Sequence, residues 1–405
     1  MDETLSRKSA AWWLPEGVAL KQPTVSFHTF ILKIASRCNL DCDYCYIYRS
    51  PDTSWQTRPH FMEEDVGRLV AQRISQHVGK HGIKEIDVVF HGGEPLRAGA
   101  SRIEKLATLF RENISAKVNF GLQTNGTLID EEILKVLLKH DVRIGLSLDG
   151  PENVNDRHRL NHAGKSSYNT VLKAIDLIRS NSEWSHLYGG LLAVIDIKND
   201  PVELYRFYSK LNARSIDLLL PDFNHDRLPW RNQPGYTPEI AYGQWLARFF
   251  EVWFSEGSPL EIKFFDEILT LLLGGPSGLE SIGLTPVDLV IIESDGDIEP
   301  VDTLKTSSRA ATNLGLNVRS HSFDQALQHP AIMSRLMGSA VLCQTCRDCP
   351  ELKNCGGGYI PHRFRETNGF LNPSIYCEDL KFLFGVMRKQ VQGSIATNTK
   401  TALVS

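Results

Sequence analysis

Between Cys45 and Cys343 the 405-residue chain has no cysteine. All eight cysteines fall at 38–45 and 343–377. Disulfide frameworks have no need of such clustering, whereas metal ligation does. There is no run of about 18 apolar residues, which argues against a membrane-spanning helix. There is no excess of positive charge either: 44 Lys and Arg stand against 48 Asp and Glu, a net charge of −4. A nucleic-acid binder is usually basic, so a polyanion is not the expected partner. The opening Met1–Lys21 lacks a basic-then-apolar signal, and a cytoplasmic location without membrane attachment is expected. What is present is an ordinary globular composition, 42% apolar, long enough for two or three domains with real cores.

From about residue 27 to 220, strand-like and helix-like segments alternate. Phe30–Ile34, Glu85–Phe90, Asn119–Gln123, Val142–Leu148, His186–Ile195 and Ile216–Leu220 read as strands. Glu63–His77, Ile103–Glu112, Glu131–His140, Tyr168–Arg179 and Val202–Leu211 have helical spacing between them. About six β/α units imply an α/β protein with a parallel sheet, closed as a partial (β/α)6 barrel. Asp222–Pro238, rich in Pro, Asn and Asp, reads as a long loop and hence a lid or substrate surface. The expected domains are an N-terminal arm (1–26), the barrel (27–220), a bridging region (221–284), a cysteine-bearing domain (285–385) and a tail (386–405).

The polar signatures follow strands. Cys38-Asn39-Leu40-Asp41-Cys42-Asp43-Tyr44-Cys45 follows the first, Gly92-Gly93-Glu94-Pro95 the second, Gln123-Thr124-Asn125-Gly126 the third and Ser147-Leu148-Asp149-Gly150 the fourth. In a parallel β/α array the C-terminal strand ends share one face, so four motifs far apart in sequence converge on one pocket. Three thiolates on one short loop can hold three irons of a [4Fe–4S] cube and leave the fourth iron open to a small molecule. Zinc is the alternative, and it would want a fourth Cys or His. Gly92 and Gly93 let backbone approach closely. Asn125-Gly126 is also a plain turn signal. Arg159 suits a carboxylate, which it can bind in bidentate fashion, or a surface ion pair. His91 and His158 read as hydrogen-bonding residues rather than metal ligands. Near the C-terminus, Cys343, Cys346, Cys349 and Cys355 precede Gly356-Gly357-Gly358, with Cys377 further on. One tight loop plus a returning cysteine can close a four-coordinate cluster or a zinc site.

The C-x-x-x-C-x-x-C spacing, with Tyr44 before the third cysteine, resembles the radical S-adenosylmethionine (radical SAM) enzymes. The resemblance implies that Cys38, Cys42 and Cys45 hold a SAM-cleaving [4Fe–4S] cluster. It implies that Gly92, Gly93, Glu94 and Pro95 contact the SAM amino group. Tyr44, Gln123, Asn125, Ser147 and Asp149 would line the SAM site, and Arg159 would take the SAM carboxylate. The C-terminal cysteines resemble the SPASM extension of peptide-modifying members. There Cys346, Cys349, Cys355 and Cys377 would ligate an auxiliary [4Fe–4S] cluster, with Cys343 a spare or alternative ligand. The full SPASM pattern has seven cysteines, but Val301 and Tyr359 stand where further ligands would fall, so two clusters are expected rather than three.

The runs Ile31-Leu32-Lys33, Ser36-Arg37-Cys38, Phe90-His91-Gly92-Gly93-Glu94-Pro95, Asn155-Asp156-Arg157-His158-Arg159 and Asn372-Pro373-Ser374-Ile375-Tyr376-Cys377 resemble the FxsB-type branch, near the GrrM/OscB and XyeB groups. That branch implies a ribosomal precursor peptide as substrate and a crosslink from an aromatic carbon to a β-carbon (a cyclophane). It also implies a low-potential reductant such as flavodoxin or ferredoxin. Asp302 matches the catalytic aspartate of related sulfatase-maturing enzymes and is the expected base. Its position also suits a turn or capping carboxylate. Formylglycine or thioether formation is the alternative within this chemistry, and a non-catalytic Fe–S or zinc protein the alternative outside it.

Overall fold

A computed structural model describes residues 12–18, 25–228 and 240–402, without the side chains of Ala310 and of 395–402. Most of the expected N-terminal arm, residues 229–239 of the expected loop and the last three residues of the expected tail lie outside the described residues. The main elements in chain order are β1 (Thr29–Ala35), α1 (Glu64–His81), β2 (Glu85–Gly92), α2 (Gly99–Asn113), β3 (Lys117–Thr124), α3 (Glu131–Lys139), β4 (Val142–Ser147), α4 (Tyr168–Ser180) and β5 (Tyr188–Val194). Then come α5 (Pro201–Leu211), β6 (Ser215–Leu219), α6 (Ala241–Ser255), β7 (Glu261–Ile262), α7 (Lys263–Leu272), β8 (Leu289–Ile292), β9 (Ile298–Glu299) and α8 (Cys377–Ala402). Every strand and helix expected between 27 and 220 is there. The helices α6, α7 and α8, with no strand alternation to announce them, were not foreseen.

The chain forms two compact units that do not follow chain order. The first is 1–193 with 286–337, and the second is 194–285 with 338–405. In the first unit the strands lie in the order β5-β4-β3-β2-β1-β8-β9. All neighbours are parallel except β8 and β9. Strand order follows chain order from β1 to β5, as successive β/α units with one crossover hand require. Burial alternates along β2 and β3, so each presents one face to the core and a partly open one away from it. Local signals set the helix ends: Asp130 accepts from the Ile133 amide at 2.8 Å to start α3, and Gly82 in a left-handed conformation (φ 65°) ends α1.

Segment 286–337 returns to the first unit and pairs β8 with β1. It brings a buried ion cluster. Arg58, with a side chain only 6% exposed, reaches Glu299 at 2.7 Å and lies beside Glu293, Asp295 and Asp297. Lys305 binds Glu299 at 2.7 Å and Glu293 at 3.0 Å. Burial pushes the Glu299 carboxyl up to about 8, although Lys305 and Arg58 draw it back. A second knot ties α1 to this segment: His77 accepts from the Phe27 amide at 3.1 Å, and His77 and His81 both face Asp324. These three side chains come close enough to share an ion. However, one His77 nitrogen is committed to the backbone and Lys80 sits on Asp324 at 3.0 Å, so hydrogen bonding already uses the site.

In the second unit β6 and β7 pair in parallel. Helices α6 and α8 pack so closely that a Cβ on Gly243 would lie 2.6 Å from the Asp379 carbonyl oxygen. The Asp379 carboxylate accepts from the Gly243 amide at 2.7 Å. No helix among the described residues is long and apolar enough to cross a membrane.

Replacing Arg58 by Met is expected to destabilise the protein by about 3–5 kcal/mol, because Glu293 and Glu299 stay buried with one cation between them. Asp297→Asn, at a half-exposed partner, is expected to cost under about 1 kcal/mol. Denaturant midpoints of the two variants check the contrast.

Candidate active site

The cysteine loop leaves β1 and lies down on the end of β2. The Gly93 amide donates to Ala35 O at 2.8 Å and the Glu94 amide to Arg37 O at 3.1 Å. The approach is tight enough to exclude side chains. A Cβ on Gly92 would sit 2.1 Å from Ala35 O, and one on Gly93 1.8 Å from the Tyr48 hydroxyl and 2.6 Å from the Arg37 carbonyl carbon. The Gly-Gly pair is therefore what seats the loop.

Glu94 is buried and fully engaged: it accepts from Leu96 N at 2.9 Å, Thr124 Oγ1 at 2.7 Å and Asn125 N at 2.8 Å. Burial pushes its carboxyl up while those three bonds oppose the shift. Its carboxylate pins the end of β3 to the end of β2. Pro95 is buried at the start of the following turn. Asn125, held in this way, places its amide nitrogen 3.7 Å from Cys38 Sγ and 2.9 Å from Asn39 Oδ1. Tyr44 donates to Asp149 at 2.6 Å, and Arg159 donates to the Tyr44 hydroxyl at 2.7 Å. Thus the ends of β1 and β4 and the loop after β4 meet in one buried cluster. Gln123 donates to Ser147 at 3.0 Å across the ends of β3 and β4.

The structure thus joins Cys38, Asn125 and the glycine pair with the Tyr44, Asp149 and Arg159 set around one loop. His158 hydrogen-bonds Asp43 at 2.8 Å and His91 accepts from Gly92 N at 2.7 Å, each in a hydrogen-bonding role.

The electrostatics suit a metal cluster. Burial pushes the Cys38 thiol up to about 12 and Cys42 up to about 11, with Arg159 drawing Cys42 back; burial also raises Cys45. Metal ligation would require these thiols to ionise as the metal binds. Arg159 is buried, and its Nε has no partner among the described residues. That orphaned donor beside the cysteine loop fits a carboxylate-bearing ligand.

Asp302, in the same unit, meets the residue after Cys45 and is not free. Its Oδ2 accepts from Lys33 Nζ and, at 2.7 Å, from the Tyr46 hydroxyl. Lys33 lies in the central strand β1 with its side chain 2% exposed, and donates to His91 Nδ1 at 3.1 Å. Burial pushes Asp302 up, but the charge of Lys33, with that of His91 and the hydrogen bonds from Lys33 and Tyr46, holds the carboxyl well below the usual range. Sequence reasoning assigned no role to Lys33 or Tyr46. The available signal was a lysine inside an otherwise apolar strand, which a buried position must neutralise.

In the second unit the C-terminal cysteines also gather. Cys343 accepts a hydrogen bond from the Cys346 thiol, which lowers Cys343. Burial raises Cys355 to about 11, with the charges of Cys377 and Cys349 adding. Half-buried Arg363 donates to Gly356 O at 3.2 Å and to Gly358 O, and its charge reaches Cys346, Cys355 and Cys343. Gly356 is left-handed (φ 61°), and a Cβ there would meet Gly283 O at 1.6 Å. All five cysteines therefore share one locality, Cys343 included.

A cysteine triad follows the first strand of a parallel β/α array, with glycines under it and strand-end polar groups around it. Residues 32–196 match the model of the radical SAM superfamily, whose chemistry uses a [4Fe–4S] cluster and SAM. Among similar proteins is the cysteine-type anaerobic sulfatase-maturating enzyme of Clostridium perfringens, 26% identical over 361 residues, covering 86% of this chain and 93% of that enzyme. The serine-type enzyme of Bacteroides thetaiotaomicron is 22% identical over 84% of each chain. The solved structure of native anSMEcpe with bound AdoMet matches with a TM-score of 0.77 at 24% identity, over 90% of this chain and 98% of that one. Streptococcus suis SuiB bound to precursor peptide SuiA matches with a TM-score of 0.58 at 15% identity, over 88% of this chain and 77% of that one. The expected α/β class with a radical SAM domain is the observed one.

Gly93→Ala is expected to destabilise the first unit by about 3 kcal/mol or more, because the new methyl meets Tyr48 and the Arg37 backbone rather than open space. A fall in the denaturant midpoint, absent in Gly79→Ala where nothing lies within 4 Å, checks this.

Proposed function

We propose that the chain is a radical SAM enzyme that oxidises a ribosomally made precursor peptide, joining an aromatic ring carbon to the β-carbon of a nearby residue. The observation that carries the reading is the cysteine loop seated on Gly92-Gly93 beside Arg159, with a buried, ionised carboxylate at Asp302 in the same unit. Cys38, Cys42 and Cys45 would hold the SAM-binding cluster. Cys346, Cys349, Cys355 and Cys377 would hold an auxiliary one, with Cys343 beside them. Loaded, the first supplies a 5′-deoxyadenosyl radical from SAM given an electron from a reductant such as flavodoxin or ferredoxin, and the second supplies an acceptor for one electron.

The residues do the remaining work. Arg159, ordered by Tyr44 and Asp149, binds the SAM carboxylate. Gly92, Gly93, Glu94 and Pro95 shape the backbone that faces the SAM amino group, and Gln123, Asn125 and Ser147 complete the lining. The peptide would lose two hydrogens, one as an atom and one as a proton to Asp302, with one electron leaving the ring. Val301 is buried (3% exposed) and Tyr359 stands four residues past Cys355, so neither supplies the thiolate a further cluster would need.

The likeness over 86% of the chain to the sulfatase-maturating enzyme of C. perfringens favours a second reading, oxidation of a sulfatase Cys or Ser to formylglycine. The two separate by product. Anaerobic reaction with SAM, dithionite and two synthetic peptides, one with aromatic–x–x triplets and one from a sulfatase, is expected to give a two-hydrogen mass loss on the triplet peptide. No sulfur should leave and no hydrazide-reactive aldehyde should form. An aldehyde on the sulfatase peptide alone reverses the choice.

The reconstituted protein is expected to bind about eight irons, and the variant with Cys38, Cys42 and Cys45 all changed to Ala about four, by iron and sulfide analysis. Zinc in the remaining site would remove the proposed electron acceptor. Asp302→Asn is expected to keep 5′-deoxyadenosine formation and lower crosslinked product by about a hundredfold, read by chromatography of both products.

A further inference from the structure

Lys33 is a cation set in the middle of the central parallel strand, and its surroundings assign its protons. An ammonium has three N–H donors. Here they meet three acceptors: Asp302 Oδ2, His91 Nδ1 at 3.1 Å and the Tyr46 hydroxyl at 3.4 Å. His91 Nδ1 also accepts from Gly92 N at 2.7 Å, so that nitrogen is unprotonated and the ring neutral. Burial together with the charge on Lys33 lowers His91 to about 4, in agreement with that assignment. Tyr46 passes its own proton to Asp302 Oδ2 at 2.7 Å. Both donors to Asp302 thus converge on one oxygen. The other, Oδ1, accepts from none of the described residues.

We propose that Lys33 is the positioning residue of the proton acceptor: it keeps Asp302 ionised and pins Oδ2, so that Oδ1 is the lone-pair site offered to the proton leaving the substrate. This rests on the reading of Asp302 as that acceptor. Its physical basis is the competition between desolvation and a fixed cation. A carboxylate as buried as Asp302 favours its neutral form unless a positive charge lies against it. A neutral carboxyl cannot accept the proton. The other groups facing Asp302 do not replace the charge of Lys33: the Tyr46 hydroxyl helps only through its hydrogen bond, His91, lowered to about 4, carries its helping charge only at acid pH, and the charge of Glu293, which reaches His91 from just past β8, has the wrong sign. Lys33 also acts through space on the Cys45 thiol, so cluster content has to be followed alongside.

The test uses the full-length reconstituted enzyme with Lys33→Met, Lys33→Arg and Asp302→Asn. The ionisation of Asp302 is read directly by infrared difference spectroscopy with carboxyl-labelled aspartate, comparing each protein with its Asp302→Asn counterpart. In Lys33→Met a protonated carboxyl band is expected near neutral pH, vanishing in Lys33→Met/Asp302→Asn; in the parent and in Lys33→Arg it is expected to be absent. Turnover is followed with the two peptides named above, as product formed per 5′-deoxyadenosine. In Lys33→Met this ratio is expected to fall at least about tenfold near pH 7 and to recover as pH rises toward about 9, because a raised carboxyl pKa adds an acid limb that the parent lacks. Lys33→Arg, which keeps the charge, is expected to restore the flat profile. An Asp302 that stays ionised in Lys33→Met, or an unchanged pH profile with iron content intact, overturns the proposal. Wild-type product yield from Asp302→Asn overturns instead the reading on which it rests. If neither peptide reacts, or Lys33→Met fails to fold, the infrared comparison in Lys33→Gln decides.

Discussion

The contact of the cysteine loop with the end of β2 is the constraint on which the site depends. Two backbone bonds, from Gly93 to Ala35 and from Glu94 to Arg37, hold the loop at a distance where no side chain fits. Once the loop is so placed, Glu94 can turn inward and fasten the end of β3, and Asn125 comes within reach of Cys38. The Tyr44 hydroxyl then meets both Asp149 and Arg159. Each polar group at the strand ends is thus satisfied mainly by another strand end. Such a network orders a pocket before any ligand arrives.

The same unit carries two buried cation centres, and both join the first half of the chain to 286–337. Lys33 meets Asp302, and Arg58 with Lys305 meets the acidic β8–β9 turn. Burying these charges is unfavourable unless each is paired. Correct pairing therefore requires segment 286–337 to be docked. Docking it is also what sets Asp302 against Lys33. Stability and the placing of the Asp302 carboxylate depend on one act of folding.

The second unit solves a different problem. Its cysteines arrive on a loop wound through three left-handed glycines, with Arg363 beneath them. A guanidinium close to several thiols lowers the cost of their ionisation and so favours a site that holds negative sulfur. Tyr359, just past the glycines, packs edge-on against His362.

How much of this was legible in the sequence depends on range. Alternating apolar runs and local turn signals determined β1–β6 and the helices between them, because strand and helix periods are properties of neighbouring residues. The cysteine spacings and the Gly92-Gly93-Glu94-Pro95 motif marked the site, since ligands on one loop and glycines in one turn are near in sequence as well as in space. Tertiary structure alone decided the rest. It made Glu94 a buried clasp, gave Cys343 a place beside Cys346, and set Lys33 on Asp302, 269 residues away. A charge reveals its partner only when burial removes water as the alternative, and burial is decided by the packing of distant segments, which no local pattern contains.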